Sequence, residues 1–111
     1  VLTGHSHSYE RSVLMSGHYG ASNTIEPSHY VDRASGDPDG TGPYEKVGRR
    51  GAVYVVAGSS GKSSGGLLNH PAMWLSLNEL GSLVVDVTGT SLDARFLNAE
   101  GQVDDHFEIV K

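Results

Sequence analysis

The sequence predicts a mainly β domain that ends in an antiparallel three-stranded meander. Three observations predict it. Apolar residues recur at every second position through residues 81–111, an unbroken apolar run of strand length spans residues 52–57, and no segment repeats apolar residues at helical spacing. Glycine supplies 15 of the 111 residues, roughly double its usual share, so much of the chain is turn and loop. A chain of this length is one domain or a piece of one.

In chain order, Val1-Leu2-Thr3 reads as the end of a strand that runs out into Gly4, which leads us to expect a fragment of a longer domain. Residues 11–16 form a further short strand. Residues 17–50 are rich in Gly, Ser, Asp and Pro, as in Ser35-Gly36-Asp37-Pro38-Asp39-Gly40, and are expected to be one long loop, either a functional excursion or disordered. Residues 52–57 (Ala-Val-Tyr-Val-Val-Ala) are expected to be a central strand buried on both faces. Met73, Trp74, Leu75 and Leu77 read as core or sheet-covering packing. In the closing meander Leu83, Val85 and Val87, then Leu92, Ala94 and Phe96, then Val103, Phe107 and Ile109 share one buried face. Thr88-Gly89-Thr90 and residues 98–102 are the turns between them. His106, between Asp104 and Glu108, falls on the outer, solvent-exposed face.

The formal net charge is −5, and all of the excess lies in residues 67–111; residues 1–66 carry six basic and six acidic side chains. Arg49-Arg50 is the only adjacent basic pair and no aromatic residues are interleaved with it, so a phosphate-backbone stripe and nucleic-acid binding are not expected. The apolar run at 52–57 is far shorter than the roughly 20 residues of a membrane-spanning helix, and no membrane association is expected. The sequence has no cysteine, which excludes a disulfide framework, a thiolate metal site and a cysteine nucleophile.

The densest chemical signal is Gly4-His5-Ser6-His7-Ser8-Tyr9-Glu10-Arg11. Neutral imidazoles are good ligands for zinc, iron or manganese. Residues i and i+2 of an extended segment point to one side, so both rings can be presented together beyond the end of a strand. Tyr9, Glu10 and Arg11 would then surround the pair, a carboxylate or guanidinium holding the loop and an aromatic ring walling it. Two ligands do not complete a site, since catalytic zinc generally takes three protein ligands and a two-metal site takes more. On the residues alone, His5 and His7 read either as metal ligands or as surface residues of a loop.

Gly-His-x-His-x-Tyr-Glu-Arg after a short apolar strand resembles the last metal-binding motif of the calcineurin-like metallophosphoesterases, in their purple acid phosphatase-like branch. The likeness continues through the apolar strand ahead of Gly58-Ser59-Ser60-Gly61 and through the closing strands, Asn78-Glu79-Leu80-Gly81-Ser82-Leu83-Val84-Val85-Asp86-Val87 and Leu92-Asp93-Ala94-Arg95-Phe96-Leu97. The resemblance implies that residues 1–111 are the C-terminal segment of an α/β catalytic domain built on a β-sandwich. It implies that His5 binds one ion of a binuclear centre, at the divalent position, and His7 the other, at the iron position. The cofactors implied are two divalent or trivalent ions (Fe, Zn or Mn), and the substrate a phosphate ester. The family's earlier motifs, which carry the bridging aspartate, the asparagine ligand and the histidine that protonates the leaving group, are absent. The missing N-terminal part of the catalytic domain is therefore an implied partner, and the chain alone is expected to be inactive. The resemblance also implies a secreted or periplasmic protein, and a truncated sandwich with unpaired edges would tend to self-associate.

Other motifs carry less. Gly58-Ser59-Ser60-Gly61-Lys62-Ser63 ends like a nucleotide P-loop but lacks the first glycine at the required spacing and the following helix. A flexible loop in which Lys62 touches substrate phosphate is the reading kept. Asp37, Asp39 and Gly40 lack the third oxygen ligand and the distal glutamate of a calcium loop. His18 with Tyr19 would line a substrate entrance if residues 17–50 fold over the site, as would His29 with Tyr30, and His70 belongs to a turn at Asn69-His70-Pro71. The alternative to the enzyme reading is an independent β-rich binding module without catalysis.

Overall fold

A computed structural model describes residues 1–111. Its strands are β1 (Leu2–Thr3), β2 (Tyr9–Ser12), β3 (Leu14–Met15), β4 (Tyr30–Asp32), β5 (Tyr44–Glu45), β6 (Val55–Ala57), β7 (Met73–Leu77), β8 (Gly81–Thr88), β9 (Ser91–Asn98) and β10 (Val103–Val110). They form a first sheet in the order β1-β6-β2-β7, a second in the order β5-β10-β9-β8, and a ribbon of β3 and β4. The chain is mainly β and contains the meander, as its periodicity predicts. Helical structure is limited to 3-10 turns at Ser22–Thr24, Pro27–His29 and Val47–Arg49. No helix is long and apolar enough to cross a membrane.

The two sheets pack face to face over one core. Tyr9, Val53 and Val55 reach it from the side of the first sheet and Tyr44, Ala94, Phe96 and Phe107 from the second, with Leu14 between them. Tyr9 stacks on Phe96, their centroids 4.1 Å apart and the rings inclined by 18°, so an aromatic pair joins the layers. A smaller cluster of Val13, Met15 and Ala72 lies beyond β2, with Ile25 and Tyr30 against it.

β6 lies between β1 and β2, as expected for a central strand. Its burial is one-sided, however: Val53 and Val55 are buried while Tyr54, on the opposite face, stands exposed. The regular strand is also shorter than the apolar run, with Ala52 forming only a bridge to Met15. Trp74 of β7 is likewise exposed rather than in the core, while Leu75 and Leu77 pack against it.

In the meander Val103 and Val87 are exposed. The register of β9 and β10 shifts between Val103 and Asp105, which takes Val103 out of the alternation, and Val87 lies near the end of β8. His106 is also not the free outer-face residue expected: its Nε2 lies 2.6 Å from Asp93 Oδ2 and its Nδ1 3.6 Å from Asp37 Oδ1.

Residues 17–50 are not one continuous loop. β4 pairs with β3, and β5 adds to β10 in parallel, Tyr44 beside Ile109. Between them Ser35 Oγ accepts hydrogen bonds from the Asp37 and Thr41 amides at 3.1 and 3.0 Å, and the Asp37 carbonyl accepts from Gly40 and Gly42 at 3.0 Å. The small polar residues that suggested a loop satisfy one another's backbone groups in compact turns. Gly36 (φ 76°) lies against the Tyr44 ring, where a Cβ would collide with it.

Candidate functional site

The flanking of β6 by β1 and β2 dictates where the histidines go. β1 is parallel to β6 and β2 antiparallel to it, so residues 4–8 must cross the carboxyl end of β6 to pass from one neighbour to the other. That crossing spans two interstrand spacings, roughly 10 Å. The chain passes directly over Gly58, whose amide donates to the Ser8 carbonyl at 3.1 Å, and a Cβ on Gly58 would collide with the carbonyl oxygens of Ser6 and Gly4. Only glycine admits so close a passage.

His5 and His7 are both solvent-exposed on this crossing. His7 Nδ1 lies 3.2 Å from Ser64 Oγ, and its carbonyl accepts from the Ser64 amide at 3.0 Å, so the segment after Gly58 lies alongside the second histidine. Lys62, the expected phosphate contact, stands exposed in that same segment. The crossing ends at Ser8, 1% exposed, whose hydroxyl donates to Glu10 Oε2 at 3.2 Å. Glu10 Oε1 also accepts from Ser76 Oγ of β7 at 3.3 Å, so Glu10 ties Ser8 to β7.

Tyr9 and Arg11 do something else. They alternate with Glu10 along β2 and therefore point into the core, away from the outer face. The Arg11 guanidinium makes a bidentate ion pair with Asp105 of β10, Nε to Oδ2 at 2.6 Å and Nη2 to Oδ1 at 2.8 Å. Tyr9 donates to Asp105 Oδ2 at 2.6 Å, and Arg11 Nη1 donates to the Tyr44 hydroxyl at 2.8 Å. Arg11 is 1% and Asp105 8% exposed, so four polar side chains form a hydrogen-bonded bridge between the sheets. Burial pushes the Tyr9 hydroxyl pKa well above its ordinary value, and the Asp105 charge adds to the effect. Burial also raises Tyr44, partly offset by Arg11. Burial works against the Arg11 charge, but the hydrogen bonds and charge of Asp105 outweigh it, so the guanidinium holds its proton more tightly than usual.

Asp105 and Tyr44 are the residues that sequence reasoning missed. The signal for Asp105 was present: it occupies the apolar phase of β10, between Val103 and Phe107, where a carboxylate needs a buried cation.

His18 lies elsewhere. It lines a cleft at the Ser12 end of β2, whereas the crossing joins the Tyr9 end, so His18 and Lys62 do not share a site. His18 makes an edge contact with His29, ring centroids 5.0 Å apart.

No three His, Cys, Asp or Glu side chains gather in this chain as a metal-binding group. His5 and His7 could supply at most two imidazole ligands to a metal ion, fewer than the three protein ligands a catalytic zinc generally takes. Their rings are accessible, and His7 has Nε2 available while Nδ1 faces Ser64. Compared with family models, with curated proteins and with solved structures, the chain matches none.

Proposed function

We propose that this chain is the part of a binuclear metallophosphoesterase that carries the last two histidine ligands, His5 for one metal ion and His7 for the other. The observation that carries the reading is the placement of both imidazoles on a loop forced across the end of a central strand, exposed and without an acidic partner. A phosphate ester is the substrate, and the remaining ligands belong to polypeptide that packs beside β1. In support, Leu2 of that strand is exposed, and an apolar crevice between the sheets is lined by Val1, Leu2, Val85 and Ile109 among others. When bound, such a centre supplies a water-derived nucleophile at neutral pH and positive charge against the phosphoryl oxygens. The chain's own residues orient the ligands: Gly58 admits the crossing, Ser64 fixes the His7 ring, and Glu10 ties Ser8 to β7. Lys62, exposed in the segment after Gly58, supplies a further positive charge toward substrate phosphate.

The test is metal content together with hydrolysis of an aryl phosphate, measured on this chain and on a polypeptide extended upstream of Val1. The expected result is two ions and turnover in the extended protein and neither in the short one. His5→Ala and His7→Ala in the extended protein should each remove one ion and most turnover. Retention of both ions in either variant overturns the assignment, and a metal-free extended protein without turnover supports the independent binding module instead.

A further inference from the structure

We propose that the cleft at the Ser12 end of β2 is a binding site for a small planar aromatic anion, an aryl carboxylate. The site is separate from the crossing that carries His5 and His7, and the inference does not rest on the metal reading. The cleft has a volume of about 430 Å³, within the usual range for small-ligand sites. Met15, Ile25, Ala72 and Met73 give it an apolar floor, and Tyr19 and Tyr54 contribute aromatic rings. Both tyrosines are exposed, Tyr19 at 96% and Tyr54 at 45%, so their faces are available to a flat ring. Thioether sulfur and aromatic faces both favour a planar π system.

The polar groups select the charge. His18 and His70 line the cleft, and no Asp, Glu, Lys or Arg does, in a chain whose formal charge is −5. The Ala72 amide donates to His70 Nδ1 at 3.2 Å, so in the neutral ring the proton sits on Nε2, a donor. Thr24 Oγ1 donates to the Ala21 carbonyl at 2.7 Å and is therefore the acceptor toward His18 Nε2 at 3.0 Å, so that His18 nitrogen is already engaged. Ser12 Oγ is engaged too, donating to the Val13 carbonyl and accepting from the Tyr54 amide. Among the residues that line the cleft, His70 Nε2–H and the hydroxyls of Ser16, Tyr19 and Tyr54 are donors, His18 Nδ1 is an acceptor in the neutral ring, and no carboxylate is present. A carboxylate on an aromatic ring complements this set.

Benzoate is the probe, titrated into the full chain and followed by amide NMR. Saturable shifts are expected at Gly17, Tyr54 and Ala72. Benzamide, which lacks the charge, and cyclohexanecarboxylate, which lacks the plane, should each bind about tenfold more weakly, as should benzoate to His70→Ala. No saturable shift with benzoate, shifts centred on another surface, or equal binding of the three compounds would overturn the proposal. The three-compound comparison needs only the unaltered chain, so it decides the matter even if His70→Ala misfolds.

Discussion

Asp105→Ala is the sharpest perturbation of the inter-sheet bridge. It removes the acceptor of three hydrogen bonds, from Tyr9 Oη, Arg11 Nε and Arg11 Nη2, at 2.6, 2.6 and 2.8 Å. Arg11 then remains 1% exposed with its charge unopposed and only the Tyr44 hydroxyl as partner. Breaking a buried pair from one side typically costs about 3–5 kcal/mol. Domains of this size have about 5–15 kcal/mol in total, so the variant should lose about a fifth or more of its stability. Arg11→Met combined with Asp105→Leu removes both charges together and should cost clearly less than Asp105→Ala, because no ion is left buried. Urea unfolding followed by far-UV circular dichroism measures all of these, with Arg11→Met alone and Asp105→Leu alone completing the double-mutant cycle. A cost below about 1 kcal/mol for Asp105→Ala, the figure of a surface pair, or single and double variants that simply add, would refute the reasoning.

The same bridge sets a pH dependence. Tyr9 and Tyr44 both have pKa values raised above 10.0 in the fold, so above that pH the unfolded chain releases protons that the native state keeps. Their contribution is complete below about pH 10 and falls above it by up to about 1.4 kcal/mol per pH unit for each tyrosine; urea titrations between about pH 9 and 11 should show this, with a shallower slope for Tyr9→Phe. Gly58→Ala should destabilise the chain by about 1–3 kcal/mol, the usual cost of overpacking, since the colliding atoms are the backbone carbonyls of Ser6 and Gly4; thermal unfolding measures it. His5→Ala and His7→Ala alter exposed residues and should change stability by no more than about 0.5 kcal/mol, read by the same thermal scan.

Much of the fold was legible because it is local. The period of two through residues 81–111 and the glycine-containing turns specify a meander without reference to the rest of the chain. The errors come from non-local partners. Tyr54 faces solvent because what covers a sheet face depends on the other layers, and an apolar run cannot report that. β5 is two residues in a Gly- and Pro-rich stretch, and only the free edge of β10 makes Tyr44–Glu45 a strand. Val103 lost its place to a shift in register. The spacing of His5 and His7 singles them out in the sequence, and both stand exposed on the crossing. Tyr9 and Arg11 enter the core rather than surround the histidines because the string continues past Ser8 as an alternating strand.

Continuing that alternation shows why the string is built as it is. Ser8, Tyr9 and Arg11 are buried, and Tyr9 and Arg11 are each fixed to Asp105 across the core while Glu10 is tied to β7 on the opposite face. β2 is thus held from both sides immediately after the crossing. Before the crossing, Leu2 and Thr3 are held by the register of β1 on Val55 and Val56. Residues 4–8 therefore have both ends anchored to the same strand, β6, and their middle pressed onto Gly58. A loop so constrained has little freedom to choose its path, whatever its side chains do. The positions from which the two imidazoles project follow from the buried bridge and the one glycine, neither of which touches them.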